Sequence, residues 1–314
     1  MELRHLRSFL AVARTQHFRR AADELYVSQP ALSEQIRQLE AELGTPLFER
    51  LGRRVRLTAA GVVLRDYAER VLREVDDARR AIEELENLSR GTLAAGVVQT
   101  VNTYLIPAVL ARLAVAHPGI CVRVDELPAA GIEAALEAGE LDLGVGFVPP
   151  AASGLVAEPL FTEELVVIVP ESHRLAGRPA VAFRELDGEP LILLSPRFCT
   201  RRLFDACTAG AGVCPQVRIE MNSIEGILAT VCATGLATVL PALALRCAEG
   251  TGLRGVPLVE PSPRRTVGLL WRRCGYRCAA ARAFAAAVAE VVERYSLPRA
   301  GVQQTQVPAG AFLG

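Results

Sequence analysis

The run FCTRR, Phe198 to Arg202, is where the sequence comes nearest to reactive chemistry. A cysteine that opens a helix and is followed by Arg201 and Arg202 sits in an electropositive setting, which favours the nucleophilic thiolate. Cys207 follows on the same segment. Helical spacing also puts Leu203, Phe204 and Cys207 on one apolar face, which is a packing role for Cys207. Cys274 and Cys278 lie four apart with no histidine beside them and read as structural thiols, not metal ligands.

Other chemistries are short of parts. All 35 basic residues among the 314 are arginine. Schiff-base catalysis, a Walker A phosphate loop and a protein kinase all require a lysine that is absent. No Gly-x-Ser-x-Gly elbow, Cys-x-x-Cys pair or His-Glu-x-x-His helix occurs, and His5, His17, His117 and His173 are scattered. The expectation is therefore no enzyme, no cofactor and no metal. Hydrophobic residues at 51% and charged residues at 22% describe a globular chain of two or three domains. No apolar run is long enough to span a membrane, and the charged start MELRHLR lacks a secretory pattern, so the expected address is the cytoplasm, with reduced cysteines.

Net charge is zero, but residues 1–58 hold ten arginines against seven carboxylates, with Arg50, Arg53, Arg54 and Arg56 close together. Leu3, Leu6, Phe9, Leu10 and Ala13 predict a first helix, and Phe18, Ala21, Ala22 and Leu25 a second. Ser28 is a good N-cap and Pro30 fits a first turn, so a third helix starts at Gln29 and stops at Gly44. The stripe expected to be buried is Leu32, Ile36, Leu39 and Leu43. Gln29, Ser33, Arg37 and Glu40 fall outside, and such groups suit base edges and phosphates in a major groove. Leu47 to Arg50 and Val55 to Thr58 then predict a hairpin wing with arginines at its turn.

The run FRRAADELYVSQPALSEQIRQLEAELGTPLFERLGRRVRLTAAG resembles the DNA-binding signature of the LysR-type transcriptional regulators. The matching positions include Ala21-Ala22, Leu25, Val27 to Ala31, Ser33, Ile36, Leu39-Glu40, Gly44, Leu47-Phe48, Arg50, Leu57-Thr58 and Gly61. The resemblance implies that Gln29, Pro30, Ser33 and the wing residues Arg50, Arg53 and Arg54 touch double-stranded DNA. Glu34 departs from the basic or polar residue common there, which leaves base preference open.

Thr58 can cap a further helix, along which Leu64, Tyr67, Val71, Val75, Ala78, Ile82 and Leu85 recur with a mean spacing of 3.5. That period predicts a left-handed coiled-coil seam and a homodimer through residues 60–88. The resemblance adds a homotetramer, RNA polymerase as a further partner, and control of a divergent neighbouring operon by activation or repression.

From Leu93 onward, strands and helices alternate in the pattern of parallel βαβ units. Two doubly wound subdomains follow, with crossings near Phe161 and Val267, and ligands of such sheets bind at strand carboxyl ends against helix starts. Gln99-Thr100, Phe147, Ser195 to Thr200 and Asn222-Ser223 occupy such ends. The expected architecture is an α+β multidomain chain. It comprises a winged helix-turn-helix (1–58), a linker helix and hinge (59–91), and an α/β effector domain (92–297) split into 92–161 plus 267–297 and 162–266. The tail 298–314, rich in Gly, Pro and Gln, reads as disordered.

This layout also resembles the LysR-type effector domain and type 2 periplasmic binding proteins. The resemblance implies a small molecule, most often an anion, between the subdomains. Thr100 and Asn102 would stand at one helix start, Phe198, Cys199 and Thr200 at the other, with Phe147 nearby. LLSPRFCTRR, QVRIEMNSIEGIL and ATVLPALAL resemble most closely the cyanate-responsive branch. Cys199 and Cys207 also resemble the cysteine pair of the peroxide-sensing branch, which implies chemistry running from a sulfenic acid to a disulfide, with two departures. Their separation is one residue shorter, and Phe198 replaces a histidine.

Overall fold

The computed structural model describes residues 1–51, 54–86 and 91–297. The chain divides into two compact units, Met1–Glu86 and Asn87–Gly314. The hinge expected at Ser89 to Thr92 lies partly, and the tail 298–314 wholly, outside the described residues.

The first unit packs α1 (Leu3–Thr15), α2 (Phe18–Glu24) and α3 (Gln29–Leu43) around Phe9, Val12, Ala21, Leu32 and Leu39, all essentially fully buried. Ala21 and Ala22 let the helices approach closely. Ser28 caps α3 by accepting from the Ala31 N–H at 3.3 Å, Pro30 lies in its first turn, and Gly44 ends it in the left-handed region at φ 69°. Such a cap contributes about 1 kcal/mol. The wing strands are β1 (Phe48–Leu51) and β2 (Arg54–Leu57), antiparallel, with Phe48 opposite Leu57. Glu40, expected on the outer face, instead accepts from the N–H groups of Leu47 and Phe48 at 2.7 and 3.3 Å and ties α3 to the wing.

Helix α4 (Ala59–Glu86) starts where the Thr58 hydroxyl accepts from the Gly61 N–H at 3.0 Å. Gly61 is required by close approach, since a Cβ there would lie 2.2 Å from the Leu47 carbonyl oxygen. One face of α4, Ala60, Leu64, Ala68 and Leu72, packs on the helical core. Leu64 therefore leaves the outward seam to which its spacing assigned it. Val63, Tyr67, Val71 and Ile82 stand exposed on another face.

In the second unit, β3 (Gly91–Val97), β4 (Ile120–Glu126) and β5 (Leu143–Val148) form a parallel set alternating with α5 (Gln99–Tyr104), α6 (Ile106–Ala116) and α7 (Ala129–Ala138). The long strand β6 (Leu155–Pro170) is shared by two sheets. Leu155 to Glu164 pair with β12 (Arg264–Arg272), which also pairs antiparallel with β5. From Leu165 onward β6 pairs instead with β10 (Ala237–Pro241) and β11 (Leu253–Val259). The short β7 (Val181–Ala182) flanks β11, while β8 (Pro190–Leu194) lies between β10 and β9 (Gln216–Met221). Helices α8 (Cys199–Ala211) and α9 (Ile224–Thr234) complete this half, and α10 (Ala279–Arg294) returns to pack on the first. The change of partners falls between Glu164 and Leu165, with the return at Arg264, each a few residues from the positions expected at Phe161 and Val267. No helix among the described residues is long and apolar enough to cross a membrane.

Candidate functional site

Two surfaces carry the residues singled out in the sequence, one in each unit. On α3, Gln29 donates to the Ser33 hydroxyl at 3.0 Å, which orders the first turn of the exposed face. Arg37 is not free: its Nε and Nη2 donate to Glu34 at 2.8 and 2.6 Å, and Gln38 donates to the same carboxylate at 2.9 Å. The hydrogen bonds from Arg37 and Gln38 hold the Glu34 carboxyl down at about 2. Pro30 is exposed beside Gln29. Arg50 and Arg54 lie on the wing strands, but their side chains, and all of Arg53, fall outside the described residues.

The second surface is a pocket of about 260 Å³ between the two halves of the second unit. It forms where β3 runs into α5 and β8 runs into α8, so both helix starts face it. Thr100, Phe147, Phe198, Cys199 and Thr200 line it together with Gln99, Arg197 and Asn222. The Gln99 amide donates to the Asn222 carbonyl and bridges the halves. Asn102 does not join this lining: its amide donates to Glu126 at 2.9 Å. Thr100 and Thr200 occupy equivalent second positions of α5 and α8, neither acting as the N-cap, since Val98 and Phe198 hold those places.

Beneath the pocket lies a charged network that the sequence did not disclose. Arg265 and Glu163 are ion-paired across β12 and β6 with both side chains 1% exposed. Arg265 also donates to Thr200 at 2.9 Å and to Thr100 at 3.0 Å, and its guanidinium lies 4.1 Å from the Phe147 ring centre. Tyr104 donates to Glu163 at 2.5 Å, and burial with the Glu163 charge pushes its hydroxyl far above the usual tyrosine range. One arginine thereby reaches the first turn of a helix from each half. Its charge is matched on the spot by Glu163, as a buried ion requires.

Cys199 is 9% exposed and is the first residue of α8. Arg202 donates to its Sγ at 3.1 Å and to the Arg197 carbonyl at 3.0 Å. Arg201 turns away, to Asp205 at 2.8 Å and the Leu194 carbonyl at 2.9 Å. Of the two arginines behind the cysteine, only Arg202 holds the thiol. Cys207 packs against the cluster containing Leu203 and Phe204, and burial pushes its thiol up. Eight residues of continuous helix separate the two cysteines by roughly 12 Å along the axis, whereas a disulfide needs Cα atoms within about 7 Å. A Cys199 to Cys207 bond thus requires α8 to unwind.

Each of the two units matches a known protein family. Residues 3–62 match the bacterial regulatory helix-turn-helix family of LysR type, and residues 86–293 match the LysR substrate binding domain. The chain is 35% identical to the hydrogen peroxide-inducible genes activator of Escherichia coli O157:H7, over 87% of this chain and 90% of that protein. It is 36% identical to the RuBisCO operon transcriptional regulator of Allochromatium vinosum, over 72% and 75%. A full-length OxyR variant from Pseudomonas aeruginosa superposes with a TM-score of 0.73 at 28% identity, covering 97% of this chain and 99% of that one. With a helix-turn-helix unit at one end and an effector-type α/β unit at the other, the chain belongs to the LysR family of DNA-binding transcriptional regulators, which are not enzymes.

Proposed function

We propose that this regulator changes its action on DNA when Cys199 is oxidised by a peroxide. The observation that carries the reading is the Cys199 thiol in the wall of an open pocket, with the Arg202 guanidinium 3.1 Å from Sγ. The thiolate attacks one peroxide oxygen, the S–O bond forms as the O–O bond breaks, and hydroxide leaves a sulfenic acid on Cys199. Sulfur is oxidised by two electrons and the peroxide is reduced by two. The name of the Escherichia coli relative agrees with this, but a RuBisCO operon regulator is equally similar, so the thiol's own geometry bears the weight. Because α8 keeps Cys207 remote and its raised thiol is a poor nucleophile at neutral pH, the signal is the sulfenic acid itself.

DNA is read in this account by Gln29, Pro30, Ser33 and Arg37 of α3, supported by Arg50, Arg53 and Arg54 of the wing. The exposed stripe Val63, Tyr67, Val71 and Ile82 of α4 supports a homodimer, and through it a tetramer, because water-facing apolar side chains at this spacing gain by pairing with a second helix. The test is mild hydrogen peroxide followed by dimedone and mass spectrometry. A Cys199 adduct is expected, absent from Cys199→Ser; no oxidised form of Cys199 at all overturns the reading.

A small anion is the second reading, favoured by Cys199 and Thr200 at the first turn of α8, where backbone N–H groups attract negative charge. The likeness to the cyanate-responsive branch would make that anion small and linear. It ranks second because the Arg265 charge is already matched by Glu163. Cyanate raising the melting temperature of wild type but not of Thr200→Val would promote it; no shift would remove it.

A further inference from the structure

We infer that the oxidant this pocket is shaped for is an organic hydroperoxide, not hydrogen peroxide. The inference rests on oxidation at Cys199 as proposed above and adds the class of substrate.

Size is the first argument. Hydrogen peroxide has two heavy atoms and fills roughly 60 Å³, about twice the share of one water. The pocket offers about 260 Å³, most of which such a small oxidant would leave unused. The walls are the second. Beside the polar Gln99, Glu126, Arg197 and Asn222, the pocket is lined by Phe147, Phe198, Leu127, Pro128 and Ala129, and the carbon surfaces among these give a small polar solute no hydrogen bonds in return for those it leaves in water. An alkyl or aryl group gains from the same surfaces. Both rings are held in place by guanidinium groups, Arg265 at 4.1 Å from Phe147 and Arg197 at 4.8 Å from Phe198.

The third argument is the placing of polar groups. Thr100 and Thr200 are almost completely buried, line the pocket, and accept from Arg265 through their oxygens. Each hydroxyl therefore keeps its own proton to donate, and neither has an acceptor among the described residues. Two donors lining the same pocket as the thiol, together with carbon surface, match a molecule with an O–O group at one end and an apolar body at the other. The Cys199 thiolate attacks the terminal hydroperoxide oxygen, the S–O bond forms and the O–O bond breaks. The alkoxide leaves while accepting hydrogen bonds from the threonine hydroxyls, then takes a proton from water to become the alcohol. Sulfur loses two electrons and the hydroperoxide gains two.

The test uses the reduced full-length protein, with Cys199 oxidation by cumene hydroperoxide and by hydrogen peroxide measured side by side and normalised to each oxidant's rate with free cysteine. The expected ratio favours cumene hydroperoxide by about tenfold, the effect of burying roughly 60 Å² of apolar surface. Phe198→Ala, which removes one of the carbon surfaces lining the pocket, should cut that preference severalfold. Oxidation of Cys199 with hydrogen peroxide equal or faster overturns the inference alone. Failure of both oxidants to modify Cys199 overturns it together with the peroxide reading.

Discussion

Glu163→Gln and Glu164→Gln remove one negative charge from neighbouring positions of β6, and they should have very different consequences. Glu164 pairs with Arg264 at 2.7 Å, with side chains 45% and 59% exposed. Water compensates either partner, so its loss should cost at most about 1 kcal/mol. Glu163 pairs with Arg265 where both side chains are 1% exposed, and glutamine would leave that guanidinium buried and uncompensated. Removing one partner of a buried pair costs about 3–5 kcal/mol. The Tyr104 hydroxyl and the two threonines stay in place and cannot supply the missing charge. The chain's single tryptophan, Trp271, lies buried on β12 in the same unit, so its fluorescence reports this unit's unfolding. With a urea slope of about 2 kcal/mol/M, Glu163→Gln should lower the midpoint by roughly 1.5–2.5 M and Glu164→Gln by less than about 0.5 M. Equal shifts for the two variants would refute the buried-network argument.

Gly61→Ala should destabilise the first unit by about 1–3 kcal/mol, because its methyl group would meet the Leu47 carbonyl and push α4 off the helical core. A far-UV dichroism melt of the variant checks it, and an unchanged melting temperature would contradict the packing. Glu34→Gln should release Arg37 for a phosphate, steepening the salt dependence of DNA binding by about 0.9 in log–log slope, as read by fluorescence anisotropy. Cys207→Ala should leave the peroxide response of DNA binding intact, since a half-buried thiol eight residues along an unbroken helix takes no part in the signal.

His173 is depressed below 6.5 mainly by burial, against the opposing pull of Glu189, so the fold prefers it neutral. The unfolded chain takes the proton first, so the stability it confers is complete above about 6.5 and is lost as pH falls through the lowered folded value. His173→Gln should therefore flatten the decline of the urea midpoint between pH 7 and pH 5.

What could be read in advance followed from local rules. Ser28, Pro30 and Gly44 mark the ends of α3 through capping and backbone preference, which need no tertiary context. The pocket's position was legible because Thr100 and Phe198 to Thr200 sit where strands give way to helix starts and Phe147 sits at the carboxyl end of β5. Strand alternation could not say which of Glu163 and Glu164, or of Arg264 and Arg265, faces inward, because each pair is two like charges in a row. The early part of β6 and all of β11 are hard to read as strands because Pro159 and Pro257 weaken the pattern. Leu64 and Glu40 were misplaced for a common reason: periodicity reports a face but not its neighbour, and both face the first unit's own core or wing.

The most direct measurement is quantitative footprinting of the protein on its own promoter, reduced and peroxide-treated, for wild type and Cys199→Ser. A footprint that changes on oxidation in wild type and stays fixed in Cys199→Ser is the expected result. The same change in both proteins, or an unchanged wild-type footprint once mass spectrometry shows Cys199 fully oxidised, would contradict the account.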